Sequence, residues 1–115
     1  MLDNFFEPES VAVIGASRDP EKLGYAVLDN LQQGGFEGRL YPINPKADEI
    51  LGLDAYASVL DIEDSVDMAL IVVPQQIVPH VLKECGEKDI SSVVIITAGF
   101  REAGRAPESW AARFS

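Results

Sequence analysis

The stretch Val11-Ala-Val-Ile-Gly-Ala-Ser-Arg-Asp-Pro-Glu-Lys-Leu-Gly24 decides the fold. Its first four residues are apolar and mostly β-branched, without alternation of polar and apolar positions, which is typical of a strand buried on both faces. A glycine-containing loop then leads into a helical pattern, with apolar side chains at positions 23, 27, 28 and 31. Gly34 and Gly35 end this pattern, so a helix is predicted over 23–33. A buried strand followed by a loop and a helix favours a parallel α/β sheet.

A short strand is predicted at 39–43, and apolar, β-branched runs predict buried strands at 68–73 and 92–96. Asn44-Pro45 turns the chain out of the first of these strands. Because strands alternate with helical patterns, the sequence predicts an α/β, Rossmann-like, doubly wound parallel sheet with right-handed crossovers.

Helical patterns occupy the segments between and after these strands. Ser58 and Asp61 resemble a capping box, which predicts a short helix. A longer helix is predicted over 75–85, with Gly86 as its cap. A last helix is predicted over 107–114.

Length and charge limit the classes of function. The 115 residues suffice for one domain with one core, since 47% of them are apolar and 24% are charged. The formal net charge of −10 argues against nucleic acid or an anionic membrane as a partner, because both attract basic proteins. No apolar run approaches the ~18 residues of a membrane span, and the N-terminus lacks a secretory pattern. We therefore expect a soluble, cytoplasmic protein.

The single histidine, His80, and the single cysteine, Cys85, argue against an ordinary metal site and against an internal disulfide. One cysteine also fits a reducing cytoplasm. Cys85 lies on the apolar stripe of its predicted helix and is expected in the core. His80 lies off that stripe, which favours a position facing solvent over a catalytic role.

In a doubly wound sheet, ligands lie outside the carboxyl ends of the strands, at the point where the strand order reverses. That rule selects four loops as the candidate site, before any motif is considered. They are residues 15–24, 44–46, 73–76 and 97–100.

The first of these loops is predicted to hold phosphate. Gly15 and Gly24 would let the backbone approach a ligand, and the start of the following helix supplies oriented N–H groups. The loop is longer than a G-x-G-x-x-G turn, and it carries the hydroxyl of Ser17 and the cations Arg18 and Lys22. The alternative is an ordinary strand-to-helix turn in which Ser17 caps the helix.

The second loop bears on the type of nucleotide. A domain that binds NAD has an acidic residue at the end of the second strand for the ribose hydroxyls, whereas this chain has Asn44-Pro45-Lys46. A cation at that place suits a phosphate on the ribose, as in NADP or coenzyme A (CoA). The alternative is that Lys46 is an ordinary exposed lysine in a turn.

Several motifs, taken together, resemble one family and cover nearly the whole chain. They are Phe6-Glu-Pro-Glu-Ser-Val-Ala-Val-Ile-Gly-Ala-Ser17, Tyr41-Pro-Ile-Asn-Pro-Lys46, Gly52-Leu-Asp-Ala-Tyr-Ala-Ser-Val-Leu60, Ala69-Leu-Ile-Val-Val-Pro74 and Val94-Ile-Ile-Thr-Ala-Gly-Phe100. The combination resembles the N-terminal CoA-binding domain of the ADP-forming acyl-CoA (acetyl-CoA) synthetases. These enzymes are relatives of the α subunit of succinyl-CoA synthetase.

The resemblance implies where CoA lies. It implies that the first loop holds CoA phosphate, that Lys46 contacts the nucleotide end, and that the third and fourth loops line a groove for adenosine and pantetheine. The predicted CoA-binding residues are Gly15, Ala16, Ser17, Arg18, Lys22, Gly24, Asn44, Lys46, Val73, Pro74, Ile96, Thr97 and Ala98.

The resemblance also implies a reaction, in which acyl-CoA, ADP and phosphate give acid, CoA and ATP through a phosphohistidine. That histidine and the ATP-grasp domain belong to later parts of the family's chains, and His80 lies in no matching motif. The chain also stops before the strand that normally completes the domain. We therefore expect residues 1–115 to form a CoA-binding domain, truncated at its C-terminus, that makes neither ATP nor acyl-CoA alone.

Two other functions stay open: a stand-alone regulatory module that binds CoA or NADP, and the CoA-binding part of a protein acetyltransferase. The sequence does not specify the acyl group. The expected partners are CoA or acyl-CoA and the remaining domains or subunit of a synthetase. An open sheet edge at the truncated end predicts self-association, as a homo-oligomer, or marginal stability.

Overall fold

The structure, a computed structural model, describes residues 8–96 of the chain. The helix predicted over 107–114 and the predicted site residues Thr97 and Ala98 lie outside this range. In chain order, the elements are β1 (Ser10–Ile14), α1 (Leu23–Gln33), β2 (Arg39–Ile43), β3 (Glu49–Ile50), β4 (Leu53–Asp54), β5 (Met68–Ile71), α2 (Val78–Glu87) and β6 (Ser92–Ile95). Short 3-10 helices in the described range lie at Val59–Asp61 and Gln75–Ile77.

Between residues 8 and 96, four parallel strands form the main sheet, in the order β2-β1-β5-β6. Strand β2 lies on one side of β1, and β5 and β6 lie on the other side. The strand order therefore reverses between β1 and β5. Ile14 pairs with Ile43 and with Ile71, and Ile71 pairs with Ile95, so the carboxyl ends of all four strands are level. The predicted Rossmann-like α/β fold is confirmed.

The core has two layers, one on each face of the sheet. Val11 and Val13 of β1 pack with Leu28 of α1 on one face. Ala12 and Ile14 belong to the cluster on the other face, which also contains the α2 side chains Val81 and Cys85. All of β1 is buried, as its unalternating apolar sequence predicts. Both faces of the strand that precedes the first loop are therefore fixed by packing.

The last strand differs from the prediction. Strand β6 was expected to be buried, but Val93, Val94 and Ile95 are 37%, 42% and 46% exposed. Within residues 8–96, β6 is an edge strand that pairs only with β5. Its apolar run resembles that of a central strand, because composition does not report a strand's place in the order.

The end of helix α2 also differs from the prediction. Gly86 was expected to cap the helix, yet it lies inside α2, and the cap is Lys88. Asp89 adopts the left-handed conformation that such caps need, with φ of 63°, and the Ile90 N–H then bonds to the Cys85 carbonyl. Aspartate tolerates this conformation because its short polar side chain can bond locally. The helix therefore extends past its glycine.

Two small elements lie between β2 and β5. The short antiparallel hairpin of β3 and β4 was not predicted; it turns through Leu51 and Gly52, both with positive φ. The helix predicted near Ser58 is present as a single 3-10 turn, in which the Ser58 hydroxyl accepts from the Leu60 N–H at 3.0 Å. In the described part of the chain the longest helix has 11 residues, and none could cross a membrane.

Candidate functional site

Backbone hydrogen bonds and close packing bring three of the predicted loops together at the carboxyl ends of the strands. The Gly15 N–H donates to the Ile43 carbonyl at 3.0 Å, and the Val72 N–H donates to the Ile14 carbonyl at 2.7 Å. Gly15 has φ of 102°, and a Cβ there would lie 2.2 Å from the Val72 carbonyl oxygen. Only glycine fits this conformation and this contact. The loop after β1 is therefore held against the ends of both β2 and β5.

The start of helix α1 lies directly on this loop. A Cβ on Gly24 would lie 1.8 Å from the Gly15 carbonyl oxygen, so the helix approaches the loop more closely than any other residue would permit. The N-cap residue is Lys22, in an extended conformation, and its side chain does not cap the helix. An uncapped helix start leaves N–H groups and a partial positive charge for a ligand anion.

Ser17 lies in a turn well before the helix. Its hydroxyl accepts from the Asp19 N–H at 3.0 Å, and the Asp19 carboxylate accepts from the Glu21 N–H at 3.0 Å. Since α1 begins at Leu23, the alternative in which Ser17 caps the helix is wrong. Ser17 is fully buried, and its hydrogen bond with the Asp19 N–H shapes the loop.

Asn44 joins the first loop to the second. Its side-chain amide donates from Nδ2 to the Ala16 carbonyl at 2.8 Å and accepts at Oδ1 from the Lys46 N–H at 2.7 Å. Asn44 is buried, and its own N–H donates to the Tyr56 carbonyl at 2.9 Å. This bridge across 28 residues of sequence was not foreseen. The Asn-Pro turn signalled a bend, but no sequence signal indicated Ala16 or Tyr56 as its partners.

The charged side chains of the site are balanced in the first loop and positive in the second. Arg18 is exposed and Lys22 is half-buried, and the same loop carries the acids Asp19 and Glu21. Lys46 is exposed at the turn after β2. Because the two loop acids offset the two loop cations, backbone N–H groups and Lys46 are the parts of the site that most clearly favour an anion.

The predicted groove residues differ in how exposed they are. Val73 is buried in the core cluster on the α2 face and lies beside Gly15. Pro74 is half-exposed at the start of the 3-10 helix, and Ile96 is half-exposed where the chain leaves β6. Thr97 and Ala98 are outside the described residues. Among the described groove residues, Pro74 and Ile96 thus offer accessible apolar surface at the carboxyl ends of the strands.

His80 and Cys85 both lie on helix α2 and differ in exposure. Cys85 is buried, and burial, with a smaller effect of the Glu84 charge, raises the pKa of its thiol to about 11, so it is a thiol and not a thiolate at neutral pH. His80 is exposed, with Nε2 3.2 Å from the Glu84 carboxylate. Among residues 8–96, no cluster of His, Cys, Asp and Glu could hold a metal ion.

A separate cleft lies at the opposite end of the sheet. It is lined by residues 8–9 and 35–39, which precede β1 and begin β2. These residues lie at the amino ends of parallel strands, where ligands of doubly wound sheets are not found. The carboxyl-end loops therefore remain the candidate site.

Comparison with known proteins gives a consistent result. The profile of a family described as "CoA binding domain" matches residues 9–112. Acetate–CoA ligase [ADP-forming] of Methanocaldococcus jannaschii is 58% identical over 97 residues, which cover 84% of this chain and 14% of the ligase. This chain therefore spans about a seventh of the length of that curated relative.

Two solved structures resemble the fold closely. The apo form of a "dinucleotide forming" acetyl-coenzyme A synthetase 1 from Ca. Korarchaeum cryptofilum has a TM-score of 0.80 and 44% identity, covering 99% of this chain and 25% of that chain. A conserved hypothetical protein from Pyrococcus furiosus has a TM-score of 0.71 and 33% identity, covering 90% of this chain and 88% of that chain.

Proposed function

The chain belongs to the CoA-binding domain family, and we propose that it binds CoA at the carboxyl ends of β1, β2 and β5. It is homologous to the N-terminal part of the ADP-forming acetyl-CoA synthetases. In a ligase of that kind, CoA is a substrate rather than a cofactor. The bound species is accordingly CoA or acyl-CoA, taken up and released in each turnover.

One observation carries the proposal: the uncapped start of α1, packed against the Gly15 backbone. Helix α1 starts at Leu23, against the Gly15 backbone at the end of β1, and the Leu23 and Gly24 N–H groups have no preceding helical turn to bond, so the helix start and its dipole are suited to an anion. We assign the pyrophosphate of CoA to this place, with Arg18 and Lys22 as its nearby cations. The buried residues Ala16 and Ser17 contribute by shaping the loop.

Lys46 is assigned to the 3′-phosphate of CoA. The end of β2 is next to the end of β1, and in a dinucleotide-binding fold that place lies beside the adenosine ribose. A lysine there can bond a phosphate, whereas an acid would bond bare hydroxyls. This assignment favours CoA and NADP over NAD, and membership of the family favours CoA over NADP.

The adenine ring and pantetheine are assigned to the apolar surface formed by the third and fourth loops. Pro74 and Ile96 are accessible there, and Thr97 and Ala98 follow directly in the sequence. Val73 supports this surface from the core, beside Gly15. The acyl group extends beyond these residues, so its identity is set elsewhere.

We further propose that the domain acts within an ADP-forming acyl-CoA synthetase, with the remaining domains or subunit as partners. The exposed apolar strand β6 is the surface on which such a partner, or a second copy of the chain, can pack. The chain alone is expected to lack synthetase activity. A cytoplasmic location fits the free, buried thiol of Cys85.

A second candidate, a stand-alone module that binds CoA or NADP, is favoured by one specific observation. The hypothetical protein from Pyrococcus furiosus is covered over 88% of its length by this chain, so a domain of this size occurs almost alone. An assay for synthetase activity of the protein distinguishes the two candidates.

Titration calorimetry with CoA, NADP and pantetheine tests the binding proposal. We expect CoA to bind most tightly and pantetheine, which lacks the pyrophosphate, least. Arg18→Ala should weaken CoA about 10-fold, since it removes a charged hydrogen-bond donor. Arg39→Ala is the matched control, because Arg39 is also exposed but begins β2 at the opposite end of the sheet. Equal weakening by both substitutions would indicate a general charge effect and contradict the assigned site.

A further inference from the structure

Among residues 8–96, Asn44 is one of three buried polar residues, together with Ser10 and Ser17. We propose that Asn44 is a positioning residue, which holds the phosphate loop after β1 and the Lys46 turn after β2 at a fixed separation without contacting CoA. This inference rests on the proposed function and assigns to Asn44 a role different from the direct CoA contact expected from the sequence.

The hydrogen bonds of Asn44 leave little for a ligand. Its Nδ2 donates to the Ala16 carbonyl at 2.8 Å, and its Oδ1 accepts from the Lys46 N–H at 2.7 Å. Its backbone N–H donates to Tyr56, and its carbonyl accepts from the Ala47 N–H at 3.3 Å. With 2% of its surface exposed, the residue satisfies its polar atoms inside the protein. Although Nδ2 keeps a second N–H, burial keeps the side chain from a ligand, so a direct contact with CoA would require Asn44 to become exposed.

The two bonds of the side chain point to different loops, and each loop is assigned one phosphate group of the ligand. The pyrophosphate lies at the loop that contains Ala16, and the 3′-phosphate lies at Lys46. A ligand with two phosphate groups gains affinity from both loops only if the distance between the loops matches the distance between its phosphate groups. Since one buried amide connects the two backbones directly, its loss should act on this separation.

Asparagine is suited to this role because its short side chain ends in both a donor and an acceptor. Serine at the same place could still accept from the N–H two residues on. Ser17 and Ser58 do this in the same chain, each at 3.0 Å. A serine hydroxyl is one bond shorter, however, and would not connect the turn to the Ala16 carbonyl. Asn44→Ser therefore separates the turn bond from the bridge.

The experiment compares CoA with dephospho-CoA by titration calorimetry for wild type, Asn44→Ala and Asn44→Ser. For wild type we expect a preference for CoA of about 10- to 100-fold, because a hydrogen bond to a charged group is lost with the 3′-phosphate. Both Asn44 variants should lose most of this preference, while dephospho-CoA affinity changes less. If Asn44→Ala does not fold, Asn44→Ser decides the matter alone.

Ser10→Ala is the matched control for the loss of a buried bridge. Ser10 is 1% exposed, donates to the Ser65 carbonyl at 3.3 Å and accepts from the Asp67 N–H at 2.9 Å, but it lies at the opposite end of β1. Ser10→Ala should lower the melting temperature and leave the preference for CoA over dephospho-CoA unchanged. A preference in Asn44→Ser equal to that of wild type, or an equal loss in Ser10→Ala, would overturn the proposal. If wild type binds neither ligand, it is the proposed function that fails.

Discussion

At the scale of single residues, two glycines control how closely helix α1 approaches the loop after β1. Gly15 occupies a conformation with φ of 102°, and Gly24 leaves 1.8 Å between its would-be Cβ and the Gly15 carbonyl oxygen. The sequence pattern indicated both glycines as places where the backbone comes close to a ligand. In the structure, the backbone at Gly24 packs against the Gly15 carbonyl, and this contact positions the start of α1.

Gly24→Ala should therefore be strongly destabilising, by on the order of 3 kcal/mol, because a methyl group must push the helix off the loop. Denaturant unfolding measures the effect. Gly86→Ala is the control: Gly86 lies inside α2 with nothing within 4 Å of its would-be Cβ. That substitution should stabilise by about 0.5–1 kcal/mol, since alanine favours a helix over glycine. Similar effects at both positions would contradict the packing argument.

Cys85 gives a prediction about pH. Burial, and secondarily Glu84, raises the pKa of its thiol from 9.0 to about 11 in the folded chain. Above pH 9 the unfolded chain therefore loses this proton before the folded chain does. The contribution of the thiol to the free energy of unfolding is thus complete below pH 9 and is lost as pH rises towards about 11.

We expect the stability of Cys85→Ala to fall less steeply than that of wild type between pH 9 and about 11. Burial, together with a hydrogen bond to Asp64, also raises the pKa of Tyr41, but that effect is common to both proteins. The difference between the two unfolding curves therefore reports Cys85 alone. Identical pH profiles, or rapid reaction of the wild-type thiol with a thiol reagent at pH 7, would contradict its burial.

At the scale of elements, β6 is where sequence and structure differ most. Its run of valine and isoleucine predicted a buried strand, yet Val93, Val94 and Ile95 are exposed and, within residues 8–96, the strand forms the edge of the sheet. The order of the strands depends on contacts between distant residues, which local composition does not encode. By contrast, the predicted bounds of α1 and β2 agree with the structure, because glycines and an Asn-Pro turn end these elements locally.

The exposed edge leads to a prediction of self-association. An apolar edge strand offers unpaired backbone groups to a second chain. We expect wild type to self-associate in sedimentation equilibrium at high concentration, and Val94→Lys to reduce this. Leu60→Lys is the matched control, since Leu60 is 44% exposed but lies in the 3-10 helix outside the sheet. A wild-type monomer with a melting transition independent of concentration would contradict the prediction.

At the scale of the whole molecule, motifs and burial patterns were sufficient to predict the fold class and the family, and both are confirmed. They also predicted the candidate site at the carboxyl ends of the strands, and the structure brings the loops at Gly15, Asn44 and Val73 together there. The bridge from Asn44 to Ala16 could not be predicted, because it joins residues 28 positions apart through one side chain. Contacts of this kind depend on the assembled sheet.

An NMR titration of the ¹⁵N-labelled chain with CoA tests whether CoA binds at the carboxyl ends of the strands. We expect saturable shifts of the amide signals of Gly15, Ser17 and Lys46, with little change in residues 8–9 and 35–39 at the opposite end. The absence of shifts at saturating CoA would contradict binding at this site. So would shifts confined to the cleft lined by residues 8–9 and 35–39.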